Sequence, residues 1–83
     1  MYKGLFERMM IAGCFDKISW DILVGGFSRG QYIIGIYKKD KRWYVYITGE
    51  RNNLYLDEEF LSEDEAYKFF IEILVDEKER SNQ

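Results

Sequence analysis

Hydrophobic and polar positions alternate most clearly between Gln31 and Thr48, Q-Y-I-I-G-I-Y-K-K-D-K-R-W-Y-V-Y-I-T. Two runs rich in β-branched and aromatic residues flank a short charged break, which predicts a β-hairpin. A two-residue turn at Lys39 and Asp40 sets Lys38 opposite Lys41, Ile36 opposite Trp43, Ile34 opposite Val45 and Tyr32 opposite Ile47. A four-residue loop over 39–42 keeps the same parity, whereas a three-residue loop pairs Ile36 with Tyr44 and scrambles the faces. One face is then Tyr32, Ile34, Ile36, Trp43, Val45 and Ile47, the expected core face. The other is Ile33, Gly35, Tyr37, Arg42, Tyr44, Tyr46 and Thr48, with Gly35 opposite Tyr44 and leaving room for that ring. Lys38 and Lys41 repel mildly across the turn, as expected of a solvated tip that discourages edge aggregation.

The flanking segments follow other periods. Leu5, Phe6, Met9 and Met10 share a helical face within residues 1–13, and Gly13 suits the position just past a helix end. The paired methionines read as gap-filling core residues. Residues 18–24, I-S-W-D-I-L-V, alternate as a strand, with Ile18, Trp20, Ile22 and Val24 on one face. G-G-F-S-R-G at 25–30 reads as a hairpin loop. It does not read as a phosphate cradle, since no P-loop lysine follows and no helix opens there. G-E-R-N-N at 49–53 is turn-forming, Leu54–Leu56 is a short fourth strand, and Asp57, Glu58 and Glu59 form an acidic corner.

The final segment predicts the clearest helix. Ser62 and Glu65 make the S-x-x-E capping box, Leu61 and Ala66 a weak hydrophobic staple, and Glu63, Asp64 and Glu65 complement the helix dipole. Ala66, Phe69, Phe70, Ile73 and Leu74 form the apolar stripe meant for the sheet. Lys78 and Arg80 suit the C-terminal turn, and Ser81–Gln83 are expected to fray. The architecture is therefore α+β in two layers: a short N-terminal helix, a three- or four-stranded antiparallel meander, and a C-terminal helix on one sheet face. On this packing Trp43 is buried near Phe69, Phe70 or Ile73.

Composition narrows the function more than the fold. The 83 residues make one domain, which buries about 60% of its unfolded surface. Its 47% hydrophobic content, with seven Tyr, six Phe and two Trp, suffices for a single core. A formal net charge of −3 argues against a general nucleic-acid binder, which gains affinity by neutralising phosphate. The helix–strands–helix order also occurs in double-stranded-RNA-binding domains, but Glu63, Asp64 and Glu65 have the wrong sign for phosphate.

The absence of histidine removes the commonest base and metal ligand, and Cys14, the single cysteine, allows neither an intrachain disulfide nor a zinc cluster. Cys14 is expected to be a small buried residue. No EF-hand spacing organises the carboxylates, and a substrate cleft is hard to build at this size. The expectation is no enzyme, no cofactor and no metal. With no secretion signal and no membrane-length apolar run, the cytoplasm is the default compartment, and a monomer the default state.

What remains is a binding surface, since Tyr and Trp are enriched where proteins meet. W-Y-V-Y (43–46), E-R (50–51), Phe60 and S-E-D-E-A-Y-x-F-F (62–70) resemble the small immunity proteins of bacterial polymorphic-toxin and contact-dependent growth-inhibition systems. Their pattern has a Trp-containing strand, a Glu-Arg-Gly turn and a capped helix with an aromatic pair; Asn52 stands where the pattern has Gly. The match covers about residues 42–74. The resemblance implies a protein that binds and neutralises a cognate toxin domain, often a nuclease, by stoichiometric blocking, with no catalytic residues of its own.

Partner contacts are expected from Tyr44, Tyr46, Glu50, Asp57, Glu58 and Glu59, with Glu63 and Asp64 at the edge. This places tyrosines of the second sheet face inside an acidic rim. The alternatives are a phage-type inhibitor such as an anti-CRISPR, or a small nucleic-acid-binding domain using Arg29, Lys38, Lys39, Lys41 and Arg42.

Overall fold

A computed structural model describes residues 1–81. The hairpin forms as β2 (Ile33–Lys39) and β3 (Arg42–Thr48), but its turn lies one residue later than expected, at Asp40 and Lys41. Both have positive φ, 52° and 67°, the geometry that matches the twist of a two-residue hairpin. Lys39 now faces Arg42, Lys38 faces Trp43, Tyr37 faces Tyr44, Ile36 faces Val45, and Gly35 faces Tyr46. Each partner moves by two positions, so parity and both faces survive. The shifted register has clear compensations. Lys38 leaves Lys41 and places its ammonium 5.9 Å over the Trp43 ring. Tyr37 and Tyr44 stack at 5.1 Å and 18°. The Tyr46 ring, not that of Tyr44, lies over Gly35, where any added Cβ would collide with it.

The larger departure is β1 (Asp21–Val24). It pairs with β2 in parallel, Asp21 opposite Ile33 and Val24 opposite Ile36, so it is not the first strand of an antiparallel meander. The sheet has the order β1-β2-β3-β4 and is antiparallel everywhere else. Residues 25–32 therefore cross over and do not form a hairpin. They are shorter than the dozen or so residues usual for a parallel connection. Side chains of β3 hold them down on the sheet face away from the helices, as described below. Tyr32 takes φ 59° where the crossover enters β2, leaving its side chain outside the strand and exposed.

β4 runs from Leu54 to Phe60, antiparallel to β3, with an irregularity between Ile47 and Thr48. The expected acidic corner is thus strand: Glu59 faces Tyr44, Glu58 faces Val45 and Asp57 faces Tyr46. Pairing with β3 overrides the poor strand propensity of the carboxylates. In the preceding turn, Glu50–Asn52, Arg51 and Asn52 have φ 58° and 61°. Asparagine tolerates this left-handed conformation better than most residues.

α1 (Tyr2–Ile11) ends as expected at Gly13, whose φ is 77°. The N–H groups of Gly13 and Cys14 donate to the carbonyls of Met10 and Met9, a Schellman closure. α2 (Glu63–Ser81) begins with the Glu65 N–H donating to Ser62 Oγ at 3.2 Å, one half of the capping box. Residues 82 and 83, part of the segment expected to fray, lie outside the described residues.

The buried side of α2 is Ala66, Tyr67, Phe70, Ile71 and Leu74, while Phe69 and Ile73 are only partly buried. The stripe is rotated because α1 packs on the flank of α2: Phe6 lies 5.7 Å from Tyr67 and 5.1 Å from Phe70. Ile34, Ile36 and Val45 complete this core from the sheet, and Phe15 closes it from the turn after α1. Cys14 and Trp43 pack at its margin. Trp43 faces α2 as predicted, yet it is half-buried at the margin of the core, with its ring 6.1 Å from that of Tyr67.

Candidate functional site: the aromatic face and its acidic edge

The sheet face opposite the helices carries Tyr37, Tyr44 and Tyr46, as strand parity requires, but the three have different surroundings. Tyr46 is completely buried, covered by the 25–32 crossover and not by α1. Phe27 packs on its ring at 4.8 Å. Its hydroxyl donates to the Gly26 carbonyl at 3.0 Å and accepts from the Ser28 N–H at 3.1 Å. Burial raises its pKa above the ordinary tyrosine value, so it stays a neutral donor. Thr48, also fully buried, donates to the Gly30 carbonyl at 2.7 Å and accepts from the Ile33 N–H at 3.2 Å. These two side chains satisfy main-chain groups that a covering loop otherwise leaves unpaired. Tyr46 is therefore part of the fold's interior and not available as a contact.

Tyr44 is half-buried. Its hydroxyl donates to Glu59 Oε1 at 3.1 Å, and that bond is the main reason its pKa is raised. Arg42 Nε lies 3.8 Å from the same carboxylate. The stacked Tyr37 ring is half-buried, with its pKa raised first by burial and then by the charge of Asp57. Tyr37, Tyr44, Asp57 and Glu59 thus form one patch: two stacked rings bordered by two carboxylates.

The other expected residues scatter. Glu58 faces Val45, so it sits on the helix side of β4, although solvent-exposed. Glu50 is exposed in the turn at the opposite end of β4, where the strand from Leu54 to Glu59 spans about 17 Å. Glu63 is half-buried in the first turn of α2. Asp64 already has an internal role, accepting the Tyr2 N–H at 2.8 Å and lying 3.3 Å from the Met1 amine. The Tyr2 hydrogen bond leads the interactions that hold its carboxyl below the usual value. It ties the start of α1 to the start of α2.

Sequence reasoning missed Phe27, which touches Tyr37 at 5.6 Å as well as Tyr46. Its signal was an aromatic residue alone in a glycine-rich loop. On the helix side of the same sheet edge, Phe60, Phe69, Glu65, Lys68 and Glu72 line a groove of about 270 Å³. Among the described residues no three His, Cys, Asp or Glu side chains are grouped to hold a metal ion, and no helix is long and apolar enough to cross a membrane. No family model, curated protein or solved structure matches the chain.

Proposed function

We propose that the chain is an immunity-type inhibitor. It acts in the cytoplasm by binding a cognate bacterial toxin domain and stoichiometrically blocking its active or substrate-binding site. The observation that supports this reading best is the patch of Tyr37 and Tyr44 bordered by Asp57 and Glu59. Half-buried aromatics inside a charged rim have the anatomy of an interface hot spot. A nuclease presents a basic substrate-binding surface, which an acidic chain approaches at an electrostatically enhanced rate. Of the five basic residues a nucleic-acid-binding domain would use, Arg42 pairs with Glu59, Lys38 lies over Trp43 and Arg29 donates to the Asn52 carbonyl at 3.5 Å, while Lys39 and Lys41 are exposed.

The test is co-expression with the product of the reading frame immediately upstream. A stoichiometric complex and restored growth are expected. A product that neither binds the chain nor is detoxified by it overturns the reading.

A further inference from the structure

Among the described residues, β4 is the last strand of the sheet and pairs only with β3. Over Leu54–Phe60, all residues except Leu56 and Phe60 are exposed. A free edge of this length is a template for another strand, and proteins usually blunt it with lysine, proline or a covering segment. Here no lysine or proline occurs between 54 and 60, and three consecutive carboxylates, Asp57, Glu58 and Glu59, occupy its second half. A second copy of β4 laid on this edge would bring like charges together, which disfavours self-pairing. The same charges favour a strand carrying Lys or Arg.

The groove supplies the independent observation. It lies between the end of β4 and α2, lined by the Phe60 and Phe69 rings, 5.3 Å apart, and by Glu65, Lys68 and Glu72. A strand added outside β4 points alternate side chains under this flank of α2 and the others toward the side of Asp57 and Glu59. The groove accepts an apolar side chain or a long aliphatic stem. Leu61, 73% exposed, extends the apolar surface at its end.

We infer that β4 takes up an extended basic segment of the partner protein as a fifth strand, with alternate apolar residues entering the Phe60–Phe69 groove. This inference rests on the inhibitor reading and adds how the partner is held. Main-chain bonds to β4 supply affinity, and the carboxylates select a basic strand.

The experiment uses the full ¹⁵N-labelled chain and a synthetic nonapeptide alternating Val or Ile with Lys or Arg. A scrambled peptide of the same composition and an alternating peptide with Glu in the basic positions serve as controls. The basic alternating peptide is expected to slow hydrogen exchange of amides within 54–60 and to bind at least tenfold more tightly than either control. Asp57→Lys combined with Glu59→Lys, on the face that meets the basic residues, should weaken it at least tenfold. The near-isosteric Asp57→Asn with Glu59→Gln should weaken it severalfold while leaving the circular dichroism unchanged. Equal binding of the scrambled peptide, protection confined to other segments, or no binding at millimolar peptide overturns the inference.

Growth protection against the upstream product separates the two claims. Protection undiminished by Asp57→Asn with Glu59→Gln removes the β4 docking mode and leaves the inhibitor reading. Uptake of the peptide on β4 without any binding or protection against that product removes the inhibitor reading alone.

Discussion

The two faces of the sheet are closed by different means. On one, α2 and α1 bury Ile34, Ile36 and Val45 under Phe70, Leu74 and Phe6, and the contact is almost wholly apolar. On the other, residues 25–32 cover Tyr46 and Thr48, and hydroxyl-to-backbone bonds hold the cover in place. Apolar burial is non-directional and spreads over many atoms, so it tolerates small displacements. A loop held by three such hydrogen bonds depends on each one, because breaking any of them leaves a partly buried polar group without its partner. The helix face should therefore fail globally, and the loop face locally.

The largest expected effect tests the helix face at its centre. Phe70→Ala should lower unfolding stability by about 3–5 kcal/mol in urea titration, with every probe reporting one transition. A loss below about 1 kcal/mol would show that α2 is not the main cover. Trp43→Ala, at the rim of the same face, should cost about 2 kcal/mol, because its ring is only half-buried. A loss matching that of Phe70→Ala would erase the distinction between centre and rim. Tyr46→Phe tests the other face. It keeps the ring over Gly35 and removes both hydroxyl bonds. A cost of about 1–3 kcal/mol is expected, together with faster hydrogen exchange at Ser28. Uniformly faster exchange across β2, β3 and α2 would mean that the loop is not a separate unit.

The smallest effect concerns the tie between the helices. The Asp64 carboxyl is held below its usual value near 3.8, chiefly by the Tyr2 N–H. Its contribution is therefore present above the unfolded-state pKa and fades as pH falls through the lower folded value. Asp64→Asn should lower stability slightly at neutral pH and flatten the acid limb below about pH 4, so that the two proteins converge in acid. An identical acid limb in both proteins would remove Asp64 from that role.

These contrasts track what the sequence could reveal. Helix α2 was legible because Ser62, Glu65 and the apolar period agree, although its rotation toward Tyr67 and Ile71 depended on where α1 settled. Hairpin faces were legible because parity survives a two-residue shift in pairing. The turn itself was not, since Lys39-Asp40 and Asp40-Lys41 satisfy the same alternation. Strand direction was equally hidden: a period of two marks Asp21–Val24 as β without saying which way it runs. In the candidate site, Tyr44 could be placed from parity, and Asp57 and Glu59 joined it only because β4 continued through them. Tyr46 could not be recognised as interior, because the loop that buries it reads locally as a turn.

The packing of Phe6 against Tyr67 and Phe70 has a consequence during synthesis. The partners of the first helix are made about sixty residues after it, an interval of about 3–12 s at common translation rates of roughly 5–20 residues per second. For the last part of that interval, about 1–4 s at the same rates from the completion of β3 to Tyr67, the nascent chain carries β2 and β3 with Ile34, Ile36 and Val45 uncovered, and an α1 with nothing to pack on. The ribosome therefore holds an amphipathic helix and a sticky hairpin side by side until α2 emerges, a window in which a holdase has the most to bind.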